Sequence, residues 1–193
     1  MLPASIILAS VSPRRQELLK GIGIKFDVIP SGANEDALDG ETPRGHVLRL
    51  SKKKSFAVSQ NNPDAWVLGA DTVVIIDGEV LGKPGTQKEA RIMLKKLSGR
   101  EHRVITGFTI VNKSTDVIIS DAVESSVLFK EILEDEMNWY VKTEEPYDKA
   151  GGYAVQGMAA FFVSEIHGSY TNVIGLPLTE VVMALRRVGA LVF

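Results

Sequence analysis

Four cations, Arg14, Arg15, Lys54 and Lys83, and two acids, Glu35 and Asp71, are the side chains whose settings in this sequence suggest chemistry. Arg14 and Arg15 open a helix. The run Ile6 to Ala9 is apolar and reads as a short strand. Ser10 and Ser12 follow, and Pro13 has the fixed φ and missing N–H that suit a first helical turn. Ser12 is then the expected N-cap. A helix start carries roughly half a positive charge and favours acids beside it. Two arginines there repel one another unless an anion joins them. A strand feeding such a start makes a phosphate cradle. Two solvated arginines on an exposed helix are the alternative.

Asp71 sits inside Trp66 to Ile76, a run that reads as a long buried strand. A carboxylate there is costly unless it is paired or bound to a metal. The competing reading is a strand break at which Asp71 caps a turn. Lys54 falls in the apolar stripe of a helix opened by Thr42-Pro43, among Val47, Leu50, Ala57 and Val58. Such a lysine needs an anion or must snorkel outward, whereas Lys52 and Lys53 point to solvent. Lys83 ends the return strand of a hairpin turned at Asp77-Gly78. It is close to Asp71 in sequence, and the two are expected to face one cleft. Gly78 to Pro84 is superficially like a P-loop, but the spacing is one residue short and Pro84 stands where the metal-binding Ser or Thr belongs. Glu35 lies with Asp36 and Asp39 in a polar loop over 31–41. Most acids in such loops are merely solvated, and one of these is a candidate metal ligand.

Other chemistries are poorly supported. His46, His102 and His167 are too far apart for a histidine-based metal motif, and each reads as a structural histidine. No Gly-x-Ser-x-Gly elbow is present. The absence of cysteine excludes disulfides and thiolate-bound metal, and it fits a reducing cytoplasm. What remains suits a polyphosphate carried with Mg²⁺ or Mn²⁺, since hard cations take oxygen ligands.

The elements that must position these groups belong to a chain of 193 residues, 45% apolar and 24% charged, long enough for one substantial domain or two tight lobes. A net charge of −2 argues against duplex nucleic acid as a partner. The N-terminal apolar run is too short for a signal peptide or membrane span. A soluble, cytoplasmic protein is expected. Phe26 to Ile29 reads as a strand. Thr86 to Glu89 reads as a capping box for a core helix ending at Ser98-Gly99. Strands are expected over His102 to Val111 and Val117 to Phe129, and a helix over Glu134 to Lys142, with Trp139 and Tyr140 on the core. Glu144 to Gly157 is dense in charge, glycine and aromatics, as ligand-holding loops often are. A strand over Ala159 to Ile166, a polar loop over Gly168 to Asn172 and a last helix from Leu176-Pro177 complete the chain.

Five blocks occur in order: Ser10-Val11-Ser12-Pro13-Arg14-Arg15; Ala70-Asp71-Thr72; Gly82-Lys83-Pro84; Glu145 to Gly151 with Gln156-Gly157; and Gly168 to Leu178. Together they resemble the signature of the Maf family, septum-formation inhibitor proteins that act as nucleoside triphosphate pyrophosphatases. The resemblance covers nearly the whole chain and implies one Maf-like domain over 1–193. The implied fold is α/β, with a mixed, strongly curved sheet flanked by helices and two lobes around a deep cleft. It is similar in architecture to inosine triphosphate pyrophosphatases. The implied reaction cuts a nucleoside triphosphate between its α- and β-phosphates with a divalent cation, Mg²⁺ or Mn²⁺. By the matching positions, Asp71 is the base or metal-linked acid that activates water, and Glu35 assists with metal or water. Ser10, Arg15, Lys54 and Lys83 hold phosphates, Lys83 counting also as catalytic, and Arg14 is a further substrate-binding residue. Arg14, Thr72 and Gln156 match the branch that prefers dTTP, UTP and modified pyrimidine nucleotides. A side-chain amide such as Gln156 offers the donor and acceptor that a uracil or thymine edge needs. Val11 departs from the small or polar residue expected there. A homodimer is allowed for; a membrane partner is not expected.

Two other classes stay open. One, which the resemblance to septum-formation inhibitors implies, is a nucleotide-binding regulator with little turnover that acts on division through a protein partner, although a pure binder has little need of Asp71. The other is a phosphomonoesterase using Asp71-Thr72-Val73, which lacks a second aspartate two residues on.

Overall fold

The computed structural model describes residues 5–192. Its strands are β1 (Ile6–Leu8), β2 (Asp27–Val28), β3 (Trp66–Ile76), β4 (Glu79–Leu81), β5 (Glu101–Asn112), β6 (Val117–Phe129) and β7 (Val163–His167). Its helices are α1 (Pro13–Gly21), α2 (Pro43–Ser59), α3 (Gln87–Leu97), α4 (Glu134–Tyr140), α5 (Tyr170–Ile174) and α6 (Leu178–Arg187). The strands form one mixed sheet in the order β2-β1-β3-β5-β6-β7, with β4 paired to β3. β1 runs parallel to β2 and β3, while β4 and β7 run antiparallel to their neighbours. This is the mixed α/β class expected from the sequence.

The chain divides into two compact units, with β3, β5 and β6 contributing to both. The first holds the chain up to Asp71, Thr106–Val123 and the segment from Gly175 onward. Its two apolar layers follow from strand alternation. Ile6, Leu8, Trp66, Leu68, Ala70, Phe108 and Ile110 face one way and pack with Leu19 of α1 and Val181 and Leu185 of α6. Ile7, Ala9, Val67 and Val111 face the other way, with Val58 of α2. Asp71 has the parity of Val67, so its side chain belongs to the α2 face.

The second unit comprises Thr72–Ile105 and Glu124–Ile174. Its core joins Leu94 and Leu97 of α3 to Phe129, Tyr140, Tyr153 and Phe162. Asp77 and Gly78 both have positive φ, 52° and 79°, as the expected hairpin turn requires.

Several elements differ from the sequence reading. Ser12 sits at the N-cap of α1 without a side-chain cap bond; its own N–H donates to Ser10 Oγ instead. Phe26 to Ile29 shortens to the pair Asp27–Val28. The strand expected from Ala159 starts only at Val163, after a 3₁₀ turn over Met158–Phe162. Gly168 to Asn172 runs into α5, whose start is tied by the Asn172 N–H donating to Ser169 Oγ. The helix expected to Lys142 ends at Tyr140, and the one expected from Leu176 starts at Leu178. Ala57 and Trp139, read as core-facing, are exposed.

Candidate active site

The site grows from the contact between α2 and β3 in the first unit. Thr42 caps α2 by accepting from the Gly45 N–H, and Pro43 occupies the first turn. Small residues then let the helix lie close on the sheet. A Cβ at Gly69 would stand 2.3 Å from the Ser51 carbonyl oxygen and 2.8 Å from the Ser55 nitrogen. A Cβ at Gly107 of β5 would stand 2.6 Å from the Val47 carbonyl oxygen. Ser51 Oγ and Thr109 Oγ1 are 2.9 Å apart, which satisfies both hydroxyls inside this layer. Two residues beyond Gly69 on the same face comes Asp71, and one turn beyond Leu50 on the helix comes Lys54. Lys54 Nζ donates to Asp71 Oδ1 at 2.7 Å, and both side chains are buried. The buried strand carboxylate is therefore paired, and the strand-break reading is excluded because β3 runs on to Ile76.

Glu35 reaches the same ammonium from outside. Its Oε1 lies 2.8 Å from Lys54 Nζ, although its side chain is 53% exposed. The loop that carries it is pinned to α2. Lys53 Nζ donates to the Asn34 carbonyl at 2.9 Å, and Arg49 donates to the Asp36 carbonyl at 3.0 Å. Lys53 is exposed as expected, yet it holds the loop in place.

At the start of α1, Arg15 donates through Nε to the Gly175 carbonyl at 2.8 Å and through Nη1 to Ser10 Oγ at 3.2 Å. Its plane is thus fixed from both sides. Burial pulls the Arg15 guanidinium below its ordinary value; Asp71 opposes this, Arg14 adds to it, and Glu35 opposes it. Ser10, Arg15, Glu35, Lys54 and Asp71 therefore belong to one charged environment, with Arg14 next to it on the same turn.

A second layer, for which the sequence carries no motif, lies behind these residues. Arg49 forks onto Glu41, with Nε to Oε1 at 2.6 Å and Nη2 to Oε2 at 2.7 Å. The hydrogen bonds from Arg49 outweigh burial and, helped by His46, hold the Glu41 carboxyl at about 2. His46 Nδ1 lies 3.0 Å from Glu41 Oε2, and His46 Nε2 lies 3.9 Å from Asp71 Oδ2. From the sequence His46 reads as a structural histidine. The signal that would have found it is spacing: His46, Leu50 and Lys54 follow at steps of four and share one face of α2.

Thr72, Lys83 and Gln156 belong to the second unit, where Thr72 is half-buried and Lys83 and Gln156 are exposed. The segment that carries Gln156 is shaped by Glu145. Tyr140 Oη donates to Glu145 Oε1 at 3.0 Å, the Met158 N–H to Oε2 at 2.8 Å and the Ala159 N–H to Oε1 at 3.1 Å. Gly157 is needed beside it, since a Cβ there would fall 2.0 Å from Glu145 Oε2.

Among the described residues no group of three or more His, Cys, Asp or Glu side chains could cage a metal ion. The Asp71 and Glu35 donor set, two hard carboxylates with an ammonium between them, fits instead a cation held by one or two carboxylates and by phosphate oxygens of a ligand.

A family model described as Maf-like protein matches residues 5–188, and the chain belongs to that family. Among its curated relatives, a dTTP/UTP pyrophosphatase of Syntrophus aciditrophicus (strain SB) is 60% identical over 100% of this chain and 94% of its own length. A dTTP/UTP pyrophosphatase of Geotalea uraniireducens (strain Rf4) is 50% identical over 97% of each. Another, of Clostridioides difficile (strain 630), is 46% identical over 95% of this chain and 94% of its own. Among solved structures, the Staphylococcus aureus Ham1 protein overlaps 65% of this chain and 71% of its own, with 16% identity and a TM-score of 0.46.

Proposed function

We propose that this chain hydrolyses dTTP and UTP to the monophosphate and pyrophosphate. The observation that carries the reading is the buried Asp71–Lys54 pair: a strand carboxylate kept inward by an ammonium that Asp71 and Glu35 leave with one further hydrogen. An ammonium has three donors; Asp71 and Glu35 engage Lys54 Nζ, and a phosphate oxygen is the natural further partner. Arg15, already oriented by Ser10 and Gly175, supplies fixed positive charge, and Arg14 adds to it. Phosphoryl transfer asks chiefly for such positioning and charge stabilisation.

In this reading Asp71 takes a proton from water as its oxygen attacks the α-phosphorus. The bond to the bridging oxygen breaks, and the electron pair leaves with pyrophosphate, whose charge is spread over several oxygens. The matches at Thr72, Lys83 and Gln156 support substrate contacts for these residues, Lys83 on phosphate and Gln156 on the base. A divalent cation, Mg²⁺ or Mn²⁺, bound by Asp71 and Glu35 would neutralise phosphate charge as a Lewis acid. The identity to several relatives named for dTTP and UTP supports the pyrimidine preference.

Product analysis across a panel of nucleoside triphosphates with Mg²⁺ or Mn²⁺ tests this. Pyrophosphate and monophosphate should appear together, fastest from dTTP and UTP. Orthophosphate as first product, or tight binding with no product, would contradict it.

A further inference from the structure

Glu41, fixed as an anion by the Arg49 fork, can only accept hydrogen bonds. His46 Nδ1 at 3.0 Å must therefore carry the hydrogen of that contact. In the neutral ring Nε2 is then a lone-pair acceptor. It faces Asp71 Oδ2, a second acceptor, across 3.9 Å. Two acceptors do not bond each other, and this spacing is too long for a direct hydrogen bond. It is the spacing that a single water spans. A water about 2.8 Å from each atom would see them at an angle of about 90°, near its own H–O–H angle. The setting is polar, and the His46 and Asp71 side chains are 16% and 10% exposed.

We propose that His46 Nε2 and Asp71 Oδ2 together hold the attacking water, with His46 as a positioning residue aimed by the Arg49–Glu41 fork. Both hydrogens of this water point at the protein, so its oxygen lone pairs are turned outward to a substrate phosphorus. As the oxygen bonds to phosphorus, one O–H bond breaks and its proton passes to Asp71; the imidazole holds the other hydrogen and fixes the direction of attack. Asp71 alone would leave that water free to rotate about one hydrogen bond. The inference rests on the pyrophosphatase reading above.

Two substitutions separate this role from a merely structural tie to Glu41. His46→Asn keeps a donor near the Nδ1 position and loses the acceptor at the Nε2 position. His46→Gln does the reverse, bringing an amide oxygen near the Nε2 position. For dTTP, His46→Asn should lower kcat about 100-fold with KM within about threefold of wild type, and His46→Gln should recover to within about tenfold. Melting temperatures recorded alongside show whether either variant is impaired in folding. A purely structural role gives the opposite order, with Asn active and Gln impaired. That order, or equal kcat for the two variants, overturns the proposal while leaving the reaction intact. Absence of pyrophosphate release by the wild-type chain would instead remove the reaction reading, and this inference with it.

Discussion

Asp71 in the first unit and Glu145 in the second are both carboxylates drawn into the protein, and they are held in opposite ways. Glu145 takes one hydroxyl and two backbone N–H donors, divided between its two oxygens. All three donors are neutral, and they lock the backbone around Gly157. Asp71 takes an ammonium on one oxygen and turns the other toward His46 Nε2 at 3.9 Å. The first arrangement uses up the acid in shaping a loop. The second keeps a charged oxygen available for a proton. An inward acid is thus diagnostic of chemistry only when its partners leave an oxygen uncommitted.

Substitutions can break that contrast. The largest effect on stability is expected at the partner of Asp71. Lys54→Met strands a buried carboxylate and should cost about 3–5 kcal/mol, read by denaturant unfolding; a change below about 1 kcal/mol would mean the pair is not desolvated. Next comes His102, whose ring is packed against Phe129 and Tyr153. Burial lowers its pKa from 6.5 to about 4. Between those values the unfolded chain binds the proton and the folded chain does not. Stability should therefore rise with pH across that window, by about 3 kcal/mol, and this rise should be lost in His102→Gln. Around Glu145 the effects are smaller. Glu145→Gln should cost about 1–3 kcal/mol through its backbone bonds. Gly157→Ala should cost a similar amount by displacing the same carboxylate, so the double variant should be clearly less than additive. Activity per folded molecule should stay within about threefold of wild type in Glu145→Gln. The smallest effect concerns base choice: Gln156→Ala should shift the ratio of kcat/KM between dTTP and a purine triphosphate by about tenfold. Equal losses on every nucleotide would contradict that role.

How much of this was legible in the sequence depends on whether a signal was local. Strand β3 and its buried acid are plain because Trp66 to Ile76 is apolar on both faces. Lys54 is plain because helical phase alone puts it in a buried stripe, and the structure buries it there. The Arg49–Glu41–His46 relay was not legible. It joins a loop acid to two polar helix residues; only His46 has a local signal, its four-residue spacing to Leu50 and Lys54, while Glu41 and Arg49 look like ordinary surface. The 3₁₀ turn at Met158–Phe162 was hidden for a related reason. Ala159 to Ile166 has the composition of a strand, but Glu145 claims the N–H groups of Met158 and Ala159. Those donors are not available to a ladder, and strand pairing starts only at Val163. As an aromatic residue Trp139 reads as core, yet the short α4 turns Met137 and Tyr140 inward and leaves Trp139 46% exposed.

The most direct measurement is pyrophosphate release from dTTP by Asp71→Asn beside wild type, with thermal melts of both. Turnover per folded molecule should fall about 1,000-fold or more, the melts showing that the variant is folded at the assay temperature although its buried pair is broken. An Asp71→Asn protein that releases pyrophosphate at the wild-type rate would show that the paired strand carboxylate is not the base.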